Sequence, residues 1–321
     1  MDNITHTLTG LFLSRAGLNR ITPSATPILL IAANLPDLDI VSALAGSLSY
    51  LHWHRHLTHS LLFAPVLALA LAALFRLFRP GLAFFPAAFV ALLGLLSHLL
   101  LDLTNIYGVR ALLPLRDTWY RWDLTPIIDL WIWATFALAI AGPFLARLVG
   151  SEIGEQRSPS TGRGFAIAAL LFLTLYNSGR AVLHNRVLQT LNSREYSGAA
   201  PLRVAAFPSS LNPLRWHAVA ETESAYRLTE YSLPLAFNPA MTESLEKPAP
   251  SPALEAASRT EPFRIFNNFA QFPLYHVIPQ ADGGFQIELH DLRFNFVSTA
   301  LVNRQNRVEK SSFNFGTSSP R

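Results

Sequence analysis

The stretch His52-Trp53-His54-Arg55-His56-Leu57-Thr58-His59-Ser60 holds four of the ten histidines of this 321-residue chain. An apolar run, residues 61–78, follows it directly, so the histidines stand at the mouth of a hydrophobic segment. If the stretch is helical, His52, His56 and His59 lie on one face, because steps of four and three residues return to the same side of a helix. Neutral imidazole is the commonest transition-metal ligand. The stretch therefore predicts a metal-binding cluster beside a membrane segment.

Further apolar runs predict that this is a membrane protein. Four runs approach the length of about 20 residues that a helix needs to cross a bilayer, namely residues 61–78, 82–101, 126–149 and 165–183. Two earlier segments, residues 5–16 and 27–33, are shorter, and we expect them to be re-entrant or interfacial. Half of the residues are hydrophobic, only 14% are charged, and the mean hydropathy is +0.28. The alternative is a soluble bundle of four buried helices, but such helices should show polar faces.

The composition changes after residue 184, where short alternating segments separated by turn signals replace the apolar runs. Such a pattern is typical of a β-rich domain. We therefore predict a mainly α-helical membrane protein of about four transmembrane helices, followed by a small β-rich C-terminal domain. The expected boundaries are 1–185 for the membrane domain, 186–310 for the β-rich domain and 311–321 for a disordered tail. Four crossings would place the histidine stretch and the β-rich domain on the same face of the membrane.

Charge and cysteine content limit the possible partners and ligands. The net charge of +4 comes from 25 basic against 21 acidic residues, and the basic residues are scattered. No basic stripe with interleaved aromatic residues is present, so nucleic acid is not an expected partner. The chain has no cysteine, so any metal must be held by nitrogen and oxygen ligands.

Several residues outside the histidine stretch are of metal-ligand type. His98 and Asp102 lie four residues apart near the end of an apolar run, a spacing that puts both on one side of a helix. Asp37 and Asp39 follow a break at Pro36, which disfavours a helical conformation for the residue before it. The predicted ligands are His6, Asp37, Asp39, His56, His59, His98 and Asp102. Seven ligands exceed the needs of one tetrahedral ion and suit a site for one or two divalent ions, with zinc or manganese favoured.

Four motifs together resemble the YdjM-like family, also described as LexA-binding inner-membrane hydrolases. The family pattern has an early His, a Pro-Asp-x-Asp, an Arg-x-x-Thr-His-Ser and a Ser-His-x-x-x-Asp. The chain matches it in order with His6, Pro36-Asp37-Leu38-Asp39, Arg55-His56-Leu57-Thr58-His59-Ser60 and Ser97-His98-Leu99-Leu100-Leu101-Asp102. In this chain Arg55 is followed by His56, whereas the family often has His-Arg-Gly at this point. The resemblance covers residues 1–185 and implies a multi-pass protein of the bacterial inner membrane with metal-dependent hydrolase activity.

The ligand types and the resemblance give one leading hypothesis for function and two alternatives. A metal-activated water would attack an ester or phosphoester, lipid-linked substrates included, with Asp39, Arg55 and Asp102 as catalytic residues. Membrane lipids are the expected partners, since arginines near the site suit either a phosphate substrate or lipid head groups. A metal-ion transporter or sensor could use the same ligands without chemistry. A membrane scaffold would leave them dispensable.

Overall fold

The computed structural model describes residues 1–152 and 162–316, with an N-terminal helical part and a C-terminal part built from two β-sheets. The helices of the first part are α1 Asn3–Ala16, α2 Ala25–Ala32, α3 Ser47–Trp53, α4 Ala64–Phe78, α5 Phe84–Thr104, α6 Leu130–Glu152 and α7 Arg163–Asn192. Two 3₁₀ helices, Leu35–Ala45 and Leu57–His59, lie before and after α3. These two short elements carry part of the site described below.

Helices α1 and α2 run through the bundle as an antiparallel pair alongside α4 and α5. At one end, the Arg163 side chain donates to the carbonyl of Ala16 at 2.9 Å, and Arg79 donates to the hydroxyl of Ser24 at 3.1 Å. At the other end, His98 Nδ1 lies 2.8 Å from the carbonyl oxygen of Ala33. Small residues allow this packing, since a Cβ on Gly94 would stand 2.7 Å from that of Ala32. The α1–α2 hairpin therefore lines the bundle from the α4–α5 turn to the C-terminal end of α5.

The predicted membrane architecture is confirmed, and three of the four helices that qualify as spans match the predicted runs 82–101, 126–149 and 165–183. By length and composition the four helices are Ala25–Ala45, Phe84–Thr104, Leu130–Gly150 and Arg163–Asn192. The run at residues 61–78 begins as α4 only at Ala64, and qualifies only together with Ser47–His59, at a bend of 80°. The early run at residues 27–33 is instead continued by Leu35–Ala45, because Pro36 occupies a first-turn position where a missing N–H costs nothing.

The C-terminal part contains two antiparallel sheets of four strands, in the order of the sequence. The first sheet has β1 Arg203–Pro208, β2 Arg215–Glu221, β3 Ala225–Ser232 and β4 Glu243–Glu246. The second has β5 Pro273–Pro279, β6 Phe285–Asp291, β7 Phe294–Val302 and β8 Val308–Phe315. Helices α8 Pro252–Ser258 and α9 Glu261–Phe269 connect them and pack on the second sheet. The predicted β-rich domain is confirmed.

Two predicted boundaries differ from the structure. The disordered tail expected from residue 311 is wrong for residues 311–315, because these residues pair with β7 as part of β8, with Ser312 opposite Thr299. Residues 317–321 of that tail lie outside the described residues. Helix α7 also continues to Asn192, beyond the predicted domain limit at residue 185.

The second sheet is joined to the helical part through an apolar cluster. Leu51 of α3 and Tyr107, which follows α5, are buried against Phe263, Phe266 and Phe269 of α9. The Tyr107 and Phe269 rings lie 4.7 Å apart between centroids. The C-terminal part is therefore packed on the same end of the bundle as the C-terminus of α5.

Candidate metal centre

Four side chains meet at the end of the bundle where α5 terminates. His98 and Asp102 come from α5 and point the same way because they are one turn apart, as the sequence predicted. Asp37 comes from the 3₁₀ helix Leu35–Ala45 and His59 from the 3₁₀ helix Leu57–His59. One ligand atom of each lies within 4.8 Å of those of the other three. We call these four residues the four-donor set.

The spacing of the donor atoms matches what a tetrahedral ion requires. Donors at 2.0–2.1 Å from such an ion are separated from each other by about 3.3 Å. His98 Nε2 lies 3.1 Å from His59 Nε2 and 3.3 Å from Asp102 Oδ2. His59 Nε2 lies 3.3 Å from Asp37 Oδ1 and 3.4 Å from Asp102 Oδ2, and His98 Nε2 lies 3.6 Å from Asp37 Oδ1. All five distances allow one small cation to contact the four atoms together.

The hydrogen bonds behind the two imidazoles leave lone pairs facing the centre. His98 Nδ1 lies 2.8 Å from the Ala33 carbonyl oxygen, which can only accept, so this nitrogen carries the proton. His59 Nδ1 lies 3.2 Å from Asp39 Oδ2 and is protonated for the same reason. Asp102 Oδ2 has no hydrogen-bond donor among the described residues. With Nδ1 protonated in both neutral imidazoles, each ring turns the lone pair of Nε2 toward the two carboxylates, so an ion bound there would meet four acceptor atoms.

Asp37 and Asp39 have different roles because the segment that carries them is a 3₁₀ helix. Three residues per turn rotate the side chain of residue i+2 about 120° away from that of residue i. Asp37 therefore faces the four-donor set, whereas Asp39 accepts hydrogen bonds from the Arg55 amide at 2.8 Å and the Thr58 hydroxyl at 2.9 Å. His54 Nδ1 lies 2.7 Å from its other oxygen. Asp39, predicted as a ligand, instead lies outside the set and orients His59.

Comparison with known proteins assigns the helical part to a family. The model of the family described as YdjM inner membrane protein matches residues 1–187. The chain belongs to the YdjM family. The matched region contains every member of the four-donor set and all but the last residues of α7.

This YdjM-family chain is similar to a curated protein over part of its length. Over 149 residues it is 29% identical to YfhP of Bacillus subtilis (strain 168), which is described as uncharacterized. The alignment covers 44% of this chain and 46% of YfhP, so the chain spans about half the length of that relative. No solved structure matches the chain.

Arg55 contacts Asp102, a member of the four-donor set, on the carboxylate oxygen that faces away from the ion position. Its guanidinium donates to Asp102 Oδ1 at 2.9 Å and to the carbonyl of Gly108 at 2.8 Å. Asn105 donates to the same carboxylate oxygen at 3.2 Å, and the amino group of Met1 also contacts it. Arg55 is buried and stacks on the Tyr107 ring at 4.6 Å. It therefore neutralises and fixes Asp102, while the other carboxylate oxygen faces the ion position.

His6 and His56, both predicted ligands, lie in different surroundings. The His6 ring stacks on that of His98 at 3.8 Å between centroids, and its Nε2 is 3.4 Å from Asp102 Oδ1. Within the described part of the chain neither ring nitrogen of His6 has a hydrogen-bond partner. The structure does not bring His56 to the set: its ring packs on Trp53 at 5.0 Å.

The predicted helical face through the histidine stretch is wrong. Helix α3 ends at Trp53, and Arg55 has a φ of 56°, in the left-handed region. The carboxylate of Asp39 binds the Arg55 amide, which turns the chain and starts the short helix that carries His59. Sequence reasoning missed His54, Thr58 and Asn105 as supporting residues, although Thr58 stands inside the Thr-His-Ser motif. The signal that could have identified Thr58 is its hydroxyl, which stands next to a ligand histidine in the sequence.

The loop between α5 and α6 also holds buried charges, outside the membrane spans. Burial raises the pKa of Asp123 to about 6, against the opposing effect of the nearby Arg293 and Arg121. Burial lowers the pKa of Arg121 to about 9, and the like charge of Arg293 lowers it further. Gln271 of the C-terminal part contacts both side chains, at 3.4 and 3.1 Å. This loop is thus held between the two parts of the protein.

Proposed function

We propose that this protein is a membrane-bound metal-dependent hydrolase that holds one divalent ion at Asp37, His59, His98 and Asp102. The observation that carries the proposal is the convergence of two imidazole nitrogens and two carboxylate oxygens, with five of their separations between 3.1 and 3.6 Å. Two imidazoles and two carboxylates suit zinc or manganese. The earlier expectation of a second ion has less support, because the described residues contain this one group of ligands.

With four protein ligands, the ion would have to take a water molecule as a fifth ligand, and there it would lower the pKa of that water and polarise the bond to be cleaved. Asp37 is the member best placed to meet a substrate, because its side chain is 12% exposed while those of His59, His98 and Asp102 are 0% exposed. Its second carboxylate oxygen is our candidate for accepting the proton of the attacking water. Asp39 is not available for that task, since its oxygens already accept from neighbouring donors.

The surroundings of Asp37 favour an ester or phosphoester on an amphiphilic, lipid-linked molecule. Leu38, Ile40 and Val41 follow Asp37 on the same 3₁₀ helix, and all three are exposed. In a membrane protein, exposed apolar side chains face lipid tails, so the outward side of the set adjoins the bilayer. Both terminal nitrogens of Arg55 donate to Asp102 and Gly108, so Arg55 is proposed to position Asp102 rather than to bind phosphate.

A metal-ion transporter or sensor is the second candidate, and one observation favours it. Asp37, His98 and Asp102 lie in helices that qualify as membrane spans, and ionisable groups there often mark ion pathways. Transport also requires places for the ion to go. Elsewhere in residues 1–152 and 162–316 no comparable group of ligands is found, and the four-donor set lies at one end of the bundle. Hydrolysis is the better supported proposal.

Metal analysis and hydrolysis assays on the full chain in detergent test both candidates. We expect close to one equivalent of zinc or manganese, and hydrolysis of a p-nitrophenyl ester or phosphoester presented in mixed micelles. His98→Ala should abolish both, whereas His56→Ala is the matched control and should retain both. Metal binding without hydrolysis of any ester would favour the transporter or sensor. Full metal content in His98→Ala would refute the site.

A further inference from the structure

One buried arginine of the C-terminal part bonds directly to the loop that follows α5. Arg293 stands in the turn between β6 and β7 and is 0% exposed. Its guanidinium is paired with Asp291 at 2.5 Å and lies between the Phe269 and Phe294 rings, at 4.8 and 5.0 Å. Its Nη1 donates to the carbonyl of Ile106 at 2.8 Å. Ile106 belongs to the loop that follows α5, so this bond joins the two parts of the protein.

The loop that Arg293 holds is also the loop that supports Asp102. The side chain of Asn105 accepts from the amides of Tyr107 at 2.7 Å and Gly108 at 3.3 Å, which folds the loop into a tight turn. The same side chain donates to Asp102 Oδ1. Gly108 has a φ of 83°, and a Cβ there would stand 2.7 Å from the Tyr120 carbonyl oxygen, so the turn has little freedom to adopt another shape.

The turn also binds Arg55 through a backbone carbonyl. The Gly108 carbonyl accepts from Arg55 at 2.8 Å, and the other terminal nitrogen of Arg55 donates to Asp102 at 2.9 Å. A shift of the turn therefore moves the carbonyl that anchors Arg55 and the amide of Asn105 that contacts Asp102. Both displacements would rotate Asp102, whose Oδ2 must stay within the 3.3–3.4 Å spacing to the two histidines.

We propose that Arg293 is a positioning residue for the metal centre, acting through the Ile106 carbonyl and the turn of residues 105–108 on Asp102 and Arg55. The inference rests on the proposed metal site and gives the C-terminal part a role in it, although none of the four ligands comes from that part. Residues that orient a metal ligand commonly change metal affinity 10–100-fold when they are replaced. Arg293 acts one step further away, so we expect a weakening of about tenfold.

Zn²⁺ affinity and the visible absorption of the Co²⁺-loaded full chain in detergent test this role. Arg293→Ala should bind Zn²⁺ about tenfold more weakly and shift the Co²⁺ bands, because the ligand geometry relaxes. Arg293→Lys keeps the charge beside Asp291 but lacks the planar fork, so it should fall between Arg293→Ala and wild type. A merely structural role would not change the Co²⁺ bands of a folded protein.

Two controls separate positioning from loss of stability. Ile287→Ala leaves a cavity in the same sheet but removes no hydrogen bond to the turn, and should lower the melting temperature while keeping the affinity and the Co²⁺ bands. Arg215→Ala breaks a half-exposed ion pair with Glu230 and should change neither. Wild-type affinity and bands in Arg293→Ala, or an equal change in Ile287→Ala, would overturn the inference while leaving the metal site intact. A wild-type chain that binds no metal would overturn both proposals.

Discussion

The two carboxylates of Pro36-Asp37-Leu38-Asp39 offer the sharpest test of the site, because the structure gives them opposite tasks two residues apart. Asp37 Oδ1 lies 3.3 Å from His59 Nε2 on the ion side of that ring, whereas Asp39 Oδ2 lies 3.2 Å from Nδ1 on the far side. Asp37→Asn removes a ligand, and Asp39→Asn removes the group that orients one. The two variants are matched in chemistry, motif and local backbone.

The expected losses differ by about an order of magnitude. Zinc bound by four protein ligands contributes about 10–16 kcal/mol, so an equal share is about 2.5–4 kcal/mol for each donor. Loss of Asp37 as a ligand should therefore weaken Zn²⁺ binding roughly 10²–10³-fold. Loss of Asp39 should weaken it about 10–100-fold, as is usual for a group that holds a ligand histidine.

The stability of the metal-free protein should also separate the two variants. Without an ion, Asp37 contacts the Nε2 atoms of His59 and His98 at 3.3 and 3.6 Å, so Asp37→Asn should lower the melting temperature of the metal-free form only slightly. Asp39 accepts from Arg55, Thr58 and His54, and each hydrogen bond to a charged group contributes about 1.5–3 kcal/mol. Asp39→Asn should therefore lower that melting temperature.

Competition of the detergent-solubilised protein against a chromophoric chelator measures the affinities, and thermal unfolding after chelation measures the stabilities. The reasoning fails if Asp39→Asn loses more affinity than Asp37→Asn, since Asp39 would then be the ligand. It also fails if both variants destabilise the metal-free protein equally, because Asp39 would then stabilise the fold no more than Asp37 does.

Further predictions concern the excluded histidine, the buried loop and the topology. His56→Ala should keep the Zn²⁺ affinity within about threefold of wild type by the same competition, since surface changes have small effects; a loss above tenfold would return His56 to the site. Because burial raises the pKa of Asp123 from 3.8 to about 6, its charge costs stability as the pH rises through that window. Asp123→Asn should therefore stabilise the protein above pH 6, by at most about 3 kcal/mol, and not below about pH 4 in denaturant titrations; equal effects at both pH values would contradict this. Cysteines at Gly81 and Glu255, in a chain that has none, should be labelled from opposite sides of the membrane, since the α4–α5 turn lies away from the C-terminal part; labelling from one side would refute the topology.

The part of the site on α5 could be predicted because it depends on helical periodicity alone. Residues 82–101 carry no Asp, Glu, Lys or Arg and only two polar side chains, Ser97 and His98, so a helix is expected, and a helix fixes the relation of residues i and i+4. His98 and Asp102 needed no other information. The apolar runs likewise predicted the membrane helices, and alternation predicted the strands, because these patterns are set by local burial.

The division between Asp37 and Asp39 could not be predicted, because it depends on the type of helix that carries them. In an α-helix, residues two apart differ by about 160°, and in a strand they share a face, so three backbone states give three different pairings. The sequence shows a break at Pro36 but does not choose among these states. Both carboxylates were therefore expected to be ligands.

The histidine stretch misled for a related reason, since its backbone is decided by a residue far away in the sequence. A helix through residues 52–59 would align His52, His56 and His59, but Asp39 takes up the amide of Arg55 and the hydroxyl of Thr58. The first bond pairs the Arg55 amide, which a helix would otherwise pair with a backbone carbonyl. Both bonds form only when the two distant segments are packed together.

The same dependence on distant contacts explains why the C-terminal part looked separable from the sequence. All ligand-type clusters lie before residue 103, and the β-rich part has only scattered histidines, so nothing in the pattern ties it to the metal centre. The link runs instead through backbone carbonyls, those of Ile106 and Gly108, which any sequence could provide. An arginine of the C-terminal part binds such a carbonyl at 2.8 Å, and no sequence motif marks the contact. Ligands can therefore be found by spacing, whereas the groups that hold them in place must be found by structure.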